Sequence, residues 1–391
     1  MKDIRFIPAL YLFVGTLFAS IGYGATFLFA DYIKLNGGNE LETGLILASA
    51  MIGTFAGVPI VGWFSGRIDA AKLTAFACLA IALGFLILSL KTDFIFFFSK
   101  IAGFFIGFGW GMFYVGAPMS LSERISDENR GFWFTRFGAI QMTGIGIGPV
   151  LMNLAVKSYE VSLENTFTIV FILSLIASLF IYFFAKKEPI ISDNKTTRTW
   201  IKYLPYIAKS DAIFPIIMVG LGACVFSGLM SFQTTLVEGT SANASMFFII
   251  YAITAVLSRV VIAPFLKKFK AFTLMKILLI TMSIGVCAMF GIGAYSNYQI
   301  LAAALMVIGY GLVYPVIQTW VVNSSNPEYR QAALTWFVMI YFIGIFGFPV
   351  LGGFLLVTFG KLALLYCLLA AVILELLIVI FASTNKKLIK S

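Results

Sequence analysis

The stretch GIGIGPVLMN, residues 144–153, has a near copy two hundred residues later, GIFGFPVLGG, residues 344–353. Both copies place glycine and proline inside an apolar run. Proline removes a backbone donor and bends a helix, but neighbouring helices compensate for this inside a membrane. Glycine lets membrane helices approach closely. We interpret the two stretches as equivalent parts of helices 5 and 11, each at the interface between two helical bundles.

The amino-acid composition indicates whether the surface of the folded chain faces water or lipid. Hydrophobic residues make up 61% of the 391 residues and charged residues 11%, against about 25% charged residues in soluble proteins. The chain cannot cover its surface in water, so it is predicted to be an integral membrane protein. It contains no histidine, and its four cysteines form no CxxC pattern. We therefore predict no metal site, no cofactor and no enzyme activity.

Apolar runs of about 20 residues predict membrane-spanning helices. The first run is longer than the core of a signal peptide and is retained as a span. The twelve predicted spans lie near 7–30, 43–64, 73–91, 95–119, 133–155, 166–185, 213–235, 245–266, 272–294, 298–320, 332–357 and 362–383.

The predicted organisation is an N-terminal six-helix bundle over 1–185, a basic cytoplasmic linker over 186–212 and a C-terminal six-helix bundle over 213–391. Most Lys and Arg residues fall in the linker and in alternate loops, so the positive-inside rule places both termini in the cytoplasm. The net charge of +10 is then an orientation signal facing anionic lipid, and nucleic acid is not expected as a partner.

The repeat extends beyond the opening phrase. A shift of 200 residues also superposes Gly109, Gly111 and Tyr114 on their second-half counterparts, and a shift of 207 superposes Ser20 on Ser227. Six spans separate the copies, which is an even number, so both halves enter the membrane in the same direction. This predicts a parallel repeat about an axis along the membrane normal, an arrangement suited to alternating access.

With these features the chain resembles the major facilitator superfamily over nearly its whole length. The stretch GWFSGRIDAAK, residues 62–72, resembles the signature of that family between spans 2 and 3, with matches at Gly62, Arg67 and Lys72. The acidic position of the signature holds a glycine here, and Asp69 follows three residues later.

The opening stretch resembles the span-5 motif of proton-coupled exporters at Gly144, Gly148 and Pro149. The glycine pair that ends this motif is absent from the first copy and present in the second as Gly352 and Gly353. A buried arginine that the family often has in span 4 is also absent.

The resemblance implies that helices 1, 4, 7 and 10 line a substrate cavity. Aromatic walls with few polar groups suit an amphipathic organic molecule, although interfacial belts also use such aromatics. Tyr114 and Tyr314 are the first choices. The cavity candidates are Tyr23, Trp110, Tyr114, Gln141, Asn153, Ser227, Ser231, Tyr310, Tyr314 and Gln318.

Coupling requires a titratable group, and without histidine a carboxylate is the expected proton carrier. Asp31 and Glu238 are repeat-related; the alternative is that both are solvated loop acids. Lys100, Arg259 and Glu375 lie within spans, where charges are costly and point to function. An ion pair between Glu375 and Arg259 is the structural alternative for those two.

Pairs of the form Glu-x-Arg, ending at Arg130 and Arg330, are predicted to latch the outward-open state or to be plain solvated loops. The gating and interface candidates are Gly62, Arg67, Asp69, Arg130, Gly144, Gly148, Pro149, Arg330, Gly344, Pro349, Gly352 and Gly353.

Together these features predict a monomeric secondary transporter of the cytoplasmic membrane that exports a small organic molecule in exchange for protons. One alternative is an importer or facilitator of a sugar or metabolite. A metallophore exporter is another, because GYGLVYPVIQ, residues 309–318, resembles span 10 of such proteins. A transporter-like receptor or assembly factor is the alternative from another class.

Overall fold

The long apolar runs fold into helices in a computed structural model of the chain. The structure describes residues 4–64, 67–90, 92–125, 130–188, 201–266, 268–326 and 328–384. Residues 1–3 and 385–391 and the linker centre, 189–200, lie outside these ranges. The cytoplasmic location of the termini and of the linker therefore stays a prediction.

The helices group into two units of closely packed chain. Unit 1 comprises Met1–Gly38 and Leu45–Thr197, and unit 2 comprises Asn39–Gly44 and Arg198–Ser391. Residues 39–44 thus group with unit 2, although the sequence places them in the first half. The predicted domain bounds, 1–185, 186–212 and 213–391, stay predictions.

Unit 1 is built from seven helices, the first two of which are joined by a 3₁₀ turn over Thr26–Leu28. The helices are α1 Phe6–Ala25, α2 Phe29–Leu35, α3 Glu40–Phe64 (apart from its first residues), α4 Ala70–Ser89, α5 Ile95–Ser122, α6 Arg130–Ser158 and α7 Leu163–Lys187.

Unit 2 begins with a 3₁₀ turn over Ile201–Tyr203 and includes two π-helical turns, Ser258–Ile262 and Ile343–Gly347. Its helices are α8 Leu204–Ala208, α9 Ile213–Ser231, α10 Gln233–Val237, α11 Ala244–Leu257, α12 Ala263–Leu266, α13 Ala271–Met289, α14 Tyr298–Asn323, α15 Arg330–Phe342, α16 Phe348–Phe359 and α17 Lys361–Thr384.

Eleven of the twelve predicted spans are confirmed as helices long and apolar enough to cross a membrane. The eighth predicted span, 245–266, is not one continuous α-helix but is divided into three shorter elements. Its regular part, α11, has only 14 residues, or roughly 21 Å at 1.5 Å per residue, against a bilayer core of about 30 Å. A π turn and the short α12 follow, so the eighth span stays a prediction.

The repeated phrase packs each half against its own first helix. In unit 1, a Cβ on Gly148 of α6 would lie 2.8 Å from the carbonyl oxygen of Ile21 of α1, and one on Gly24 would lie 2.5 Å from that of Ile145. In unit 2, a Cβ on Gly344 would lie 2.5 Å from the carbonyl oxygen of Gly220 of α9. These glycines therefore set the backbone separation inside each unit.

Proline leaves one carbonyl without its α-helical donor in each copy, since residue i accepts from residue i+4. Pro349 cannot donate to the carbonyl of Ile345. The hydroxyl of Ser227 on α9 donates to that oxygen instead, at 2.5 Å. In unit 1 the counterpart serine, Ser20, is buried, and its hydroxyl has no hydrogen-bond partner among the described residues.

This difference yields a matched pair of variants. Ser227→Ala removes the donor to a freed carbonyl and is expected to lower the free energy of unfolding by about 1 kcal/mol, the scale of hydrogen bonds between membrane helices. Ser20→Ala deletes a hydroxyl without a partner and should be neutral or slightly stabilising. Equilibrium unfolding in mixed micelles measures both, and equal losses for the two variants would contradict the assignment.

Candidate functional site

The aromatic face of unit 1 is positioned by the glycines of α5. A Cβ on Gly107 would lie 1.9 Å from the carbonyl oxygen of Ala50 of α3, and one on Gly109 would lie 2.4 Å from that of Ala77 of α4. Only glycine permits backbones this close. The helix is thereby held against α3 and α4, and its remaining face carries Trp110 toward α1.

Trp110 stacks on Tyr23 of α1 with ring centroids 4.4 Å apart and ring planes 12° apart. It also stacks on Phe113 at 5.3 Å and meets the ring of Tyr114, tilted, at 6.3 Å. Tyr23 and Trp110 are buried, whereas Tyr114 is half-buried. Three of the predicted cavity residues therefore form one cluster in unit 1.

Unit 2 carries a second stacked pair, between Tyr310 of α14 and Phe226 of α9, with centroids 5.0 Å apart and planes 15° apart. Tyr310 is the repeat counterpart of Trp110. Tyr314, one turn later, meets the rings of Phe337 and Tyr341 at 5.2 and 5.5 Å. Each unit thus joins its first and fourth predicted spans by stacked rings.

The other cavity candidates are polar. Gln141 and Asn153 are buried on α6, Ser231 is buried at the end of α9, and Gln318 is half-buried on α14. Ser227 is already engaged, since its hydroxyl bonds to the carbonyl of the π turn described above.

Gln233 was missed by sequence reasoning. It begins α10, directly after the helix break at Phe232. Its side chain is buried, and neither amide atom has a hydrogen-bond partner in the described part of the chain. The available signal was a polar residue, directly following Ser231 and Phe232, near the end of an apolar run.

Two of the coupling candidates lie on, or directly after, short helices that follow a break in a long one. Asp31 is in the first turn of α2, and Glu238 follows α10. The side chain of Asp31 is half-buried and Glu238 is exposed. Lys100 is half-buried on α5, and its carbonyl accepts a bond of 2.7 Å from the hydroxyl of Ser49.

The ion pair considered between Glu375 and Arg259 is not formed. Glu375 is fully buried, and neither carboxyl oxygen has a hydrogen-bond partner among the described residues. The carboxyl instead points at α9, where a Cβ on Gly222 would lie 3.2 Å from Oε1. Arg259 lies in the π turn after α11, close enough to interact electrostatically with Tyr251.

A charged cluster closes one end of unit 1 and centres on Arg124, which sequence reasoning treated only as an orientation signal. Its guanidinium is fully buried and donates in three directions: to Asp69 Oδ2 at 2.5 Å, to the Ser120 carbonyl at 3.0 Å and to the Glu188 carbonyl at 2.8 Å. The charge also lies 5.0 Å from the ring centroid of Phe184. One side chain therefore ties the ends of α5 and α7 to the loop before α4.

Asp69 has two roles in this cluster. One carboxylate oxygen caps α4 by accepting from the backbone N–H of Ala71 at 2.8 Å, and the other accepts from Arg124. Arg67 of the same signature is exposed, and a Cβ on Gly62 would meet nothing within 4 Å. Within the stretch 62–72, Asp69 is therefore the residue whose side chain makes the described hydrogen bonds.

The predicted latch is only partly described. Glu128 and the side chain of Arg130 lie outside the described residues. In unit 2, Glu328 accepts a hydrogen bond from Tyr203 at 3.3 Å, and Nε of Arg330 is buried without a hydrogen-bond partner in the described part. Of the remaining interface candidates, Gly352 packs on the ring of Phe232.

The second glycine of the pair has a different neighbour within unit 2. A Cβ on Gly353 would lie 2.3 Å from the carbonyl oxygen of Glu40, one of the residues 39–44 that group with that unit. The side chain of Glu40 accepts from the hydroxyl of Thr235 at 3.0 Å. A Cβ on Gly44 would lie 2.5 Å from the carbonyl oxygen of Pro349.

The model of the Major Facilitator Superfamily matches residues 12–349 and 239–389. The chain belongs to the Major Facilitator Superfamily. It is therefore a multi-pass membrane transporter rather than an enzyme. Superfamily structures with similar folds include a POT family transporter in complex with 5-aminolevulinic acid, at 16% identity and a TM-score of 0.77, covering 97% of this chain and 96% of that one.

The nucleoside transporter NupG, in a mutant form, is similar at 16% identity and a TM-score of 0.74, covering 97% of this chain and all of that one. An auto-inhibited POT family peptide transporter is similar at 13% identity and a TM-score of 0.71, covering 95% of each chain. No curated protein matches the chain. At these identities the likeness concerns the superfamily fold alone.

Arg124→Ala is expected to destabilise the protein by about 3–5 kcal/mol, because it leaves Asp69 and two carbonyls without their buried cation. The exposed arginine of the same region gives the control: Arg67→Ala should change stability by less than about 0.5 kcal/mol. Thermal unfolding in nanodiscs measures both. An Arg124→Ala protein as stable as the Arg67→Ala protein would contradict the central role of Arg124.

Glu123, next to this arginine and beyond the end of α5, carries a pH dependence. Burial raises the pKa of its carboxyl; Arg124 opposes the rise and Asp69 adds to it. The folded state therefore retains the proton to a higher pH than the unfolded state, and stability falls as pH rises from about 4.5, the ordinary pKa, through the folded pKa.

Glu123→Gln should remove this contribution. The variant is expected to match the wild type near pH 4 and to exceed it in stability at pH 8, since glutamine has no proton to lose. The exposed Glu160→Gln serves as the control and should leave the pH profile unchanged. Unfolding midpoints measured across this pH range test the prediction, which fails if the Glu123→Gln profile parallels that of the wild type.

Proposed function

We propose that this transporter exports a small organic molecule with an aromatic or amphipathic face, by alternating access and in exchange for protons, as a monomer in the cytoplasmic membrane. The observation that carries the proposal is the pair of stacked ring clusters at repeat-related places of the two units. Each cluster joins helices that line the cavity in the family, and one ring of each stack, Trp110 or Tyr310, occupies a position related to the other by the repeat.

The substrate class follows from the chemistry of these surfaces. The half-buried ring of Tyr114 adjoins the buried stack of Tyr23 and Trp110, and the half-buried ring of Tyr310 stacks on the buried Phe226. Aromatic rings favour offset stacking with other rings and attract cations over their faces. Binding sites for drug-sized molecules are mostly apolar, with a few polar groups that orient the ligand. A planar organic molecule, neutral or cationic, fits this description better than a sugar.

Gln233 supplies an orienting group in unit 2. A buried amide without a hydrogen bond costs free energy, so such a group in a native protein calls for a specific explanation. The amide follows the break between α9 and α10, and unwound segments of membrane helices mark binding sites in transporters. We propose that Gln233 donates and accepts hydrogen bonds with a polar part of the substrate.

Alternating access is supported by the interruptions in the helices of both units. The first span breaks at Thr26–Leu28 and its counterpart breaks at Phe232, each before a short helix. At these interruptions the backbone of each unit can bend without disrupting the hydrogen bonds of a long helix. Asp31 lies on the short helix α2 and Glu238 lies directly after the short helix α10. We propose both as proton-coupling carboxylates at the outer ends of these spans.

The direction of transport rests on the span-5 motif. Gly144, Gly148 and Pro149 resemble the motif of proton-coupled exporters, and here they pack on α1. Uptake of a small polar metabolite is the second candidate, because the similar solved structures include a transporter in complex with 5-aminolevulinic acid. The two directions are distinguished by vesicle polarity.

Transport in reconstituted vesicles of both orientations, with an imposed pH gradient, tests the proposal. The probes are ethidium, 5-aminolevulinic acid, a nucleoside and a dipeptide. We expect ethidium flux to depend on the gradient and to lose that dependence in Asp31→Asn or Glu238→Gln. Wild-type ethidium flux that does not depend on the pH gradient would contradict the antiporter assignment. Transport of 5-aminolevulinic acid alone would favour the uptake candidate.

The aromatic surfaces are tested separately by Tyr114→Ala and Tyr314→Ala. Each removes a half-buried ring next to a stack, and a lost aromatic contact of about 0.5–1.5 kcal/mol raises the apparent KM for ethidium roughly 2- to 10-fold. The exposed Tyr159→Ala is the matched control and should leave KM unchanged. A KM shift in Tyr159→Ala equal to those of the other two would remove the support for the aromatic site.

A further inference from the structure

Glu375 lies in the interior of unit 2, and its carboxyl has no hydrogen-bond partner among the described residues. The buried residues of α17 include Leu368, Val372, Glu375 and Val379, spaced at three to four residues. They form one stripe of the helix. The rest of α17 is largely exposed apolar surface, as expected for a helix that faces lipid. Glu375 is therefore placed on the face that packs on the bundle, where a charged carboxylate is costly.

The site has room for the carboxyl because residue 222 is a glycine. A Cβ there would lie 3.2 Å from Oε1 and 3.5 Å from Oε2 of Glu375, closer than the ordinary packing distance in the first case. One turn and a half further along α9, Leu368 of the same stripe meets Gly228 in the same way. The stripe of α17 thus docks on small residues of α9, and one of its members is an acid.

Unit 1 shows that this packing needs no acid. Gly15 is the repeat counterpart of Gly222, and the side chain that meets it is Ile181 of α7, whose Cγ1 would lie 2.5 Å from a Cβ on Gly15. An aliphatic side chain therefore satisfies the same contact in the other half of the molecule. The carboxyl in unit 2 replaces an apolar contact with one that binds a proton.

The surroundings connect the carboxyl to the proposed substrate surface. The Tyr310 ring lies at the same spot, with Cε2 3.5 Å from the position of a Cβ on Gly222, and this ring stacks on Phe226. The same stretch of α9 also contacts the π turn Ile343–Gly347. There Gly344 packs on Gly220, and the hydroxyl of Ser227 donates to the carbonyl oxygen of Ile345. Pi-helical turns occur frequently at functional sites.

Few titratable groups face Glu375. On α9 the only one is Cys224, which interacts electrostatically with Glu375, and on α14 it is Tyr310. Helix α13 carries Lys276 in its second turn and the exposed Cys287. Helix α16 carries none, and Cys367 lies on α17 itself. No cation lies within hydrogen-bonding distance of the carboxyl among the described residues.

We propose that Glu375 is a proton-binding site of the transport cycle, located between α9, α14 and α17 of unit 2. Its carboxylate takes one proton from water when the site opens to one side and returns that proton to water when it opens to the other. Only the O–H bond forms and breaks. Loss and gain of charge beside Gly222 and Tyr310 would bias the position of the stacked ring on which the substrate binds. This inference rests on the proposed function.

The first test needs no substrate. Infrared spectra of the protein in nanodiscs, titrated over pH, should show a protonated-carboxyl band that is missing from Glu375→Gln and Glu375→Leu. The leucine variant is expected to fold, because unit 1 has an aliphatic side chain at the equivalent contact. The exposed Asp93→Asn is the control and should keep the band. A band that persists unchanged in both Glu375 variants overturns the proposal.

The second test uses ethidium flux in vesicles. Glu375→Gln should lose ethidium accumulation driven by the pH gradient, down to the level seen without a gradient, whereas the control Asp93→Asn should keep the wild-type accumulation. Gradient-driven accumulation in Glu375→Gln equal to that of the wild type overturns the proposal. If the wild type transports none of the probes, the proposed function is wrong, but the infrared test still applies. A titrating band that is lost in Glu375→Gln would support the proton site. If the wild type shows no such band, the proton site is wrong as well.

Discussion

A backbone carbonyl inside an apolar helix bundle must find a donor, and proline takes away the one that an α-helix would supply. This constraint acts twice in the molecule, at Ile145 and at Ile345. In each unit the neighbouring first helix is arranged around the freed oxygen. Gly24 brings the backbone of α1 up to Ile145, and Ser227 donates a hydroxyl to Ile345. These contacts also help to place Tyr23 and Phe226, which lie on α1 and α9.

In both units the last long helix packs on a glycine of the first long helix, but with different side chains. Unit 1 is aliphatic where α7 meets Gly15, whereas unit 2 places Glu375 at the corresponding Gly222. Unit 2 also holds both π-helical turns of the described chain. The π-helical turns and the proposed groups Glu375 and Gln233 thus lie in unit 2, while unit 1 holds the buried charged cluster around Arg124. The repeat gives both units a similar arrangement of helices. The units differ in their polar groups because different residues occupy single equivalent positions.

The sequence allowed much of the fold to be predicted. Eleven spans followed from the length of apolar runs. The repeat relates Trp110 to Tyr310, one ring of each stack, but not their partners Tyr23 and Phe226. The ion pair between Glu375 and Arg259 could not be judged, because similar depth along two helices does not fix which way each side chain points. Arg124 and Gln233 were missed for the same reason. A charge near a helix end reads as an orientation signal, and only the approach of Asp69 and Glu188 from other segments makes it a buried centre.

The sequence by itself determined the solvent, the helical class, the two-fold repeat and the family, because these depend on composition and on spacing along one chain. The tertiary structure alone decided which polar groups are satisfied and which are not. Ser20 and Ser227 are equivalent in sequence, yet only one finds a carbonyl. Glu375 is one acid among 17 acidic residues, and only packing places it over Gly222, without a hydrogen-bond partner in the described part of the chain. Hydrogen bonding and burial depend on neighbours distant in the chain, and linear spacing does not specify them.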